Sequence, residues 1–458
     1  MKKKLLAVLA VPMLMSSLAG CNLFNKGGKG DTELTGTAKA VAEAAKMNEE
    51  ELVAAAKAEM EASNDTFKVL GLTSALKKAS EQLAAKYDFL KFEDGGSDNN
   101  VYVKNDYKDY TLLTALESAD KQYVADFALT QDERSIADYQ KSGILHNFVP
   151  SDYAAFGITE KDTEPLKGIH FNKVFWTNTN FTKVTGETLF NIWQVAGKST
   201  DAHHLSKVSF QSPVTEQINM SFLLSCYSEE AEARIAAAYK SFYGKDWAAS
   251  GDYTSAGDQW VQEFIKNISR WHSSDGTAMK ETQLKDDWNE GYVYFGAYSK
   301  MKDAAGKSYA PAGVDVAADP ILAPLADADG KVNAMKTVKW DWAIEGFNGY
   351  FYTMDSQIVN NAKHPYTACL FARYLLNPDF YKATIYSSTT PNEDGTKGNQ
   401  YGYYYPGDMG AFGSASAVVT NSYDWTKAQW KEKSLVEDYT YLSKVRSAKV
   451  AFIQSLIK

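Results

Sequence analysis

Short apolar runs alternate with segments of helical periodicity through much of this chain. That alternation restricts the fold more than any other feature of its 458 residues. Residues 67–72 (FKVLGL) are a strand candidate, followed by Thr73-Ser74. A helix then runs to about Lys86, with Leu76, Ala79, Leu83 and Tyr87 on one face. Residues 109–118 predict another helix, and 124–130 (VADFALT) a strand running into Gln131-Asp132. A helix over 135–142 is ended by Gly143, and 169–177 (IHFNKVFWT) is again strand-like. Strands and helices alternating at this length predict an α/β lobe with a largely parallel sheet.

The chain is too long for one core, because single cores stop growing near ~250–300 residues. Two lobes, or one inserted into the other, are expected. Residues 37–62, rich in Ala, Glu, Lys and Leu, favour helix, and Asn48 before Glu49, Glu50 and Glu51 marks a helix start. Further on, a helix is expected over 222–243. Another spans 258–271 and places Trp260, Phe264, Ile268 and Trp271 in the core. A polar helix over 279–290 is ended by Gly291. Residues 292–298 read as a strand carrying Tyr292, Tyr294, Gly296 and Tyr298 on one face. Residues 303–335 read as a loop excursion, 365–376 as a helix, 387–422 as aperiodic, and 425 onward as a final helix with room for one break.

The N-terminus has the grammar of a secretory leader. Lys2-Lys3-Lys4 precedes an apolar stretch over 5–14, and Leu18-Ala19-Gly20 supplies small residues before Cys21. The stretch is too short to cross a hydrocarbon core of ~30 Å, which takes about 20 apolar residues. With Cys21 as the first mature residue, it resembles the lipobox of bacterial lipoproteins. That resemblance implies a lipid on the Cys21 thiol, removal of residues 1–20 and an extracytoplasmic body. Residues 21–37, polar and Gly-rich, then read as a tether. Without the three leader lysines, the formal net charge of −9 from 48 basic and 57 acidic residues becomes −12, which argues against nucleic acid as a partner. Cys226 and Cys369 lie among apolar residues and are expected as buried free thiols.

Several enzyme signatures are incomplete. Gly197-Lys198-Ser199-Thr200 ends like a phosphate loop, but Ile192 stands where the first glycine belongs. Ser74 and Lys77 fit S-x-x-K without its companion motifs, and adjacent His203-His204 diverge in regular structure.

In its order of segments the chain resembles the extracellular solute-binding proteins of ABC importers. Their type 2 periplasmic-binding fold includes ferric-iron and polyamine binders. Four segments carry the resemblance: the first strand with Thr73-Ser74 and its helix, VADFALTQD, the Glu290-Gly291 turn with 292–298, and Glu345-Gly346 through Met354-Asp355-Ser356, Asn361-Ala362-Lys363-His364-Pro365 and ACLFARYLLNP over 368–378. The implied fold class is α/β, two-lobed, with lobes joined by crossing hinge strands. The expected division is lobe one over 38–177, lobe two over 178–300, an excursion over 301–340 and a return to lobe one over 341–458.

The resemblance implies capture of a small solute by lobe closure and its delivery, unaltered, to an ABC transporter permease. Thr73 and Ser74 offer hydroxyls and helix-start N–H groups to a solute, or serve as an N-cap. Gln131 and Asp132 lie at a strand end, where ligands of open α/β sheets sit, or in a solvated loop. Trp176 and Asn178 end the strand that crosses towards lobe two; Trp176 stacks on a ligand or fills the hinge. Tyr292, Tyr294 and Tyr298 present π faces to a cation or pack in the core. Tyr350 and Asp355 belong to the most family-like segment, and in polyamine binders an aspartate at the matching place meets an amine. Tyr403-Tyr404-Tyr405 lies later in the chain than the paired tyrosines of ferric binders, so loop packing is expected. An amine or polyamine, a metal complex, a sugar and an anion all stay open as solutes. No cofactor or metal of its own is expected, and the protein is expected to be a monomer. A carbohydrate-active hydrolase outside the cytoplasm, with aromatics as sugar platforms, is the competing reading.

Overall fold

The computed structural model describes residues 34–71, 75–104, 123–131, 136–284, 291–300, 308–309, 315–318, 323, 326–333, 338–339, 344–381, 405 and 427–457. The chain divides into Met1–Thr35 and Gly36–Lys458, and every element below belongs to the second unit. Two helices open it, α1 (Gly36–Ala44) and α2 (Glu49–Ala62). Asn48 caps α2 as its sequence predicts: Asn48 Oδ1 accepts from Glu51 N at 2.9 Å, and the Glu51 carboxylate accepts from Asn48 N at 3.0 Å.

β1 (Phe67–Gly71) leads through α3 (Ala75–Lys86), β2 (Val101–Lys104), β3 (Phe127–Thr130), α4 (Ile136–Lys141) and β4 (Leu145–His146) to the long strand β5 (Lys167–Asn178). Leu76, Ala79 and Leu83 are buried on α3, as their spacing requires. Then come β6 (Val208–Gln211), α5 (Gln217–Ser225), α6 (Glu229–Tyr243), α7 (Ala256–Asn267), β7 (Ile268–His272), α8 (Asp275–Leu284) and β8 (Val293–Ala297). The short strands β9 (Ser308–Tyr309), β10 (Val332–Asn333) and β11 (Val338–Lys339) precede a second long strand, β12 (Gly349–Val359). The chain ends with α9 (Pro365–Leu375), α10 (Lys427–Lys433), β13 (Leu435–Val436) and α11 (Tyr439–Leu456).

Eleven of the described strands join one sheet, whose main path is β2-β1-β3-β12-β5-β8-β6-β7. On one side β2, β1 and β3 are parallel, and on the other β8, β6 and β7 are parallel. Between them β12 and β5 run antiparallel to each other and to their outer neighbours. The two parallel halves thus share two long strands, both fully buried. This is a two-lobed α/β architecture with crossing strands between the lobes.

Three elements differ from expectation. The helix expected over 222–243 is two, because Ser228 restarts it: its Oγ accepts from Ala231 N at 3.3 Å, and Glu229 and Glu230 follow at the new N-terminus. Ile268 and Trp271 belong to β7, where Trp271 is 37% exposed. Asn267 stops α7 by donating its amide to Val195 O and Leu205 O, both at 2.8 Å. The excursion over 303–335 contributes the β9–β10 ladder. The final helix has the one break expected of it, at β13, which pairs with Tyr350 and Phe351 of β12. The helix expected over 109–118 lies outside the described residues, as does 387–422 apart from Tyr405.

Candidate functional site

Strand direction decides where a ligand can sit. Asp355 of β12 pairs with Thr130, the last residue of β3, and with Lys167, the first of β5. Six residues further along β5, Lys173 pairs with Ala297, the last residue of β8. Both sets of parallel strands therefore point their C-terminal ends at the shared stretch 167–173, one from each side, about 20 Å apart. Ligands of open α/β sheets bind outside such ends.

On the first side Asp355 is fully buried. Its Oδ1 lies 3.4 Å from Lys167 Nζ and accepts from Thr353 Oγ1 at 3.2 Å. Lys167 also lies over the Tyr439 ring at 4.1 Å, and the Glu437 carboxylate accepts from Thr353 N at 3.0 Å. Asp355 thus has a cation from its own chain. The Thr130 hydroxyl is buried without a hydrogen-bond partner among the described residues.

On the second side Lys173 is 1% exposed and its ammonium reaches three acceptors: Asn219 Oδ1 at 2.9 Å, Asp275 Oδ2 at 3.2 Å and Glu216 Oε1 at 3.4 Å. Glu216 precedes α5 and Asp275 opens α8, so both carboxylates stand at helix N-termini, where negative charge is favoured. Burial alone would lower the Lys173 pKa, but Asp275 and Glu216 more than offset it, and the ammonium is held above its usual range. Glu216 moves up as well, through burial first, with the neighbouring Asp275 adding to it. The two directions agree physically, since one cation serves two anions. His272, at the end of β7, is pushed down to about 4 by burial, and its Nδ1 lies 3.1 Å from Ser209 Oγ.

Asp275 reaches this place because position 296 is glycine. A Cβ there would come within 2.7 Å of Asp275 Oδ1 and 2.6 Å of the Trp176 ring. Gly296 pairs with Val174, so the side chain of Asn172, two residues earlier, shares that face of the sheet. Asn172 is 1% exposed, and neither end of its amide has a hydrogen-bond partner among the described residues. Buried amides are ordinarily satisfied, which makes this one a candidate polar contact.

Of the residues singled out from sequence, Gln131 follows β3 and is half-buried; Thr73, Ser74 and Asp132 lie outside the described residues. Trp176, Asn178, Tyr292 and Tyr294 sit away from the junction, because β8 runs antiparallel to β5 and places Val293 beside Thr177 at the far end. The polar groups of Trp176 and Asn178 are used there. Trp176 Nε1 donates to Thr282 Oγ1 at 2.8 Å and Asn178 Nδ2 to Thr282 O at 2.6 Å, while Tyr294 stacks on Trp176 and Tyr292 on Arg270. Tyr298 is buried against Trp430. Tyr350 is buried at the junction, its hydroxyl 3.4 Å from Ser225 Oγ and 3.5 Å from a Glu437 oxygen. Tyr405 packs inside, its hydroxyl 2.7 Å from Phe156 O. Lys198 N and the Tyr243 hydroxyl donate to Asp201, which makes the Gly197–Thr200 stretch an aspartate-closed turn. Cys226 and Cys369 are buried and free.

Lys173, Glu216, Asp275, Asn172 and Glu437 escaped sequence reasoning. A signal existed: His170, Asn172 and Lys173 stand inside a strand that is buried along its whole length. Among the described residues no cluster of three or more His, Cys, Asp or Glu could hold a metal ion, and no helix is long and apolar enough to cross a membrane.

No family model matches the sequence, and no curated protein matches it. Solved structures do. An ABC transporter substrate-binding protein from Bradyrhizobium japonicum aligns with 86% of this chain and 100% of its own, at 12% identity and a TM-score of 0.52. A protein from Bordetella parapertussis, described as an extracellular solute-binding protein, aligns with 86% and 99%, at 12% identity and 0.51. A Trichodesmium protein in complex with iron and citrate aligns with 85% and 99%, at 13% and 0.49. The first two establish a shared fold, the two-lobed type 2 periplasmic-binding architecture of extracellular solute-binding proteins.

Proposed function

We propose that this chain is a solute-binding protein that closes two lobes around a small molecule and passes it, unaltered, to the permease of an ABC transporter. The observation that carries the reading is the register. Two opposed sets of strand ends face each other across the same stretch of β5 and β12, and the unpartnered Asn172 amide is buried between them. Long shared strands are suited to hinge motion, and closure over a few polar groups is how such clefts hold small ligands. The names of the structural neighbours agree with it. Gln131, together with Thr73, Ser74 and Asp132 after the ends of β1 and β3, forms the lobe-one edge in this proposal. Residues 38–177 with 341–458, and 178–300, make the two lobes. A lipid on Cys21 holds the body at the outer face of a membrane through the 21–37 tether, and the protein carries out no chemical step.

A thermal-shift screen over amines, sugars, metal complexes and oxyanions, followed by calorimetry, identifies the solute. Small-angle scattering then shows a smaller radius of gyration with solute bound, and mass spectrometry of the released solute shows it unchanged. Turnover of the bound compound, or saturable binding with no compaction, refutes the reading. Cys21→Ala shifts the protein from the membrane to the soluble fraction if the lipid is the anchor.

A further inference from the structure

We infer that Glu216 and Asp275 are resident counter-anions of the cleft: from within the chain they fill the place an oxyanion would take, so the cargo is a neutral or cationic solute. The inference rests on the proposed solute site at the β5–β12 junction and adds its charge class.

An ammonium has three protons to donate. Those of Lys173 face Asn219, Asp275 and Glu216, which leaves none for an incoming anion. The charge balance points the same way. α5 and α8 both begin here, and a helix N-terminus carries about half a positive charge. Two helix ends and Lys173 would together present about two positive charges, a ready anion site. The two carboxylates bring that sum close to zero. They are also the outermost groups of the cluster: Lys173 is 1% exposed, against 12% for the Asp275 side chain and 24% for Glu216. An anion entering from the cleft meets carboxylates before it meets the ammonium. The arrangement is built into the backbone, since Asp275 Oδ1 occupies space that any side chain at Gly296 would take. The Asn172 amide, which both donates and accepts, supplies the hydrogen bonding that an uncharged or cationic polar solute needs.

The test uses the full-length chain and inorganic phosphate and sulfate as probes, titrated calorimetrically into wild type, Asp275→Asn, Glu216→Gln and the double variant. Wild type is expected to show no saturable binding at millimolar anion. Each isosteric change removes one negative charge and is expected to raise phosphate affinity about tenfold, and the double variant about a hundredfold. Saturable phosphate binding by wild type that Lys173→Met abolishes would overturn the inference, as would a folded double variant with no gain. Should the double variant fail to fold, the wild-type titration and Asp275→Asn decide the matter alone. A wild-type chain that closes on an anionic solute sinks this inference and leaves solute binding standing. A wild-type chain that closes on nothing, while the variants still gain phosphate, sinks the solute-binding proposal and leaves the charge assignment standing.

Discussion

Replacing Lys173 with Met keeps the volume of the side chain and removes its charge. Lys173 is fully buried and lies 3.2 Å and 3.4 Å from the two carboxylates. At an effective dielectric near 20, each contact is worth about 5 kcal/mol before desolvation, and burying the ammonium offsets several kcal/mol of that. Breaking a buried pair by removing one partner costs about 3–5 kcal/mol, because the other is left uncompensated. Here two carboxylates are left facing each other. Glu216 already binds its proton more tightly than a free carboxylate, so the variant relieves the repulsion by taking up a proton. A group whose folded pKa is raised contributes stability that is complete below its unfolded pKa and is lost as pH rises through the folded value. Lys173→Met therefore falls below wild type by about 3–5 kcal/mol near pH 8. The gap narrows as pH falls towards 5, because the proton that Glu216 holds more tightly when folded then removes one of the two facing charges. Urea unfolding at both pH values measures it. A loss under about 1 kcal/mol, or a gap that does not change with pH, would show that the ammonium is not what balances these carboxylates.

His272, neutral when folded and pushed down to about 4, takes up its proton only after the unfolded state has done so. Wild type accordingly loses about 3 kcal/mol through this group as pH falls from 6.5 towards 4. His272→Gln should flatten that part of the urea-midpoint profile, and parallel wild-type and variant profiles would remove His272 from the account. For the other end of the junction, Asp355→Ala leaves Lys167, 10% exposed at its side chain, without its carboxylate, at a cost of about 2–4 kcal/mol. Adding Lys167→Met to it should restore most of the loss. A double variant as unstable as the sum of the singles would show the two residues uncoupled.

Of the two shared strands β5 was legible from pattern, since 169–177 reads as a strand, whereas β12 entered only through the resemblance; Asn48 with three glutamates announces its own helix. The site was less so, for two physical reasons. The apolar pattern of 292–298 reveals a strand but not its direction, and direction is what carries Tyr292 and Tyr294 to the far end of β8. The charge cluster joins Lys173 to partners 46 and 102 positions away, a proximity that only the packed sheet creates. Trp176 and Asn178 show the converse, since side chains well suited to a ligand are taken up by Thr282.

The C-terminal stretch has a bearing on how the molecule is made. β13 supplies the partner for the edge of β12 at Tyr350 and Phe351, Glu437 takes the N–H of Thr353, and α11 lies along α5 and α7. A ribosome delivers these residues after both flanking bodies, so during synthesis β12 has a bare edge while those bodies are already available to fold. The second neighbour of β12 arrives only with Leu435–Val436, and a stop codon ahead of them would leave the shared strand paired on one side along that stretch.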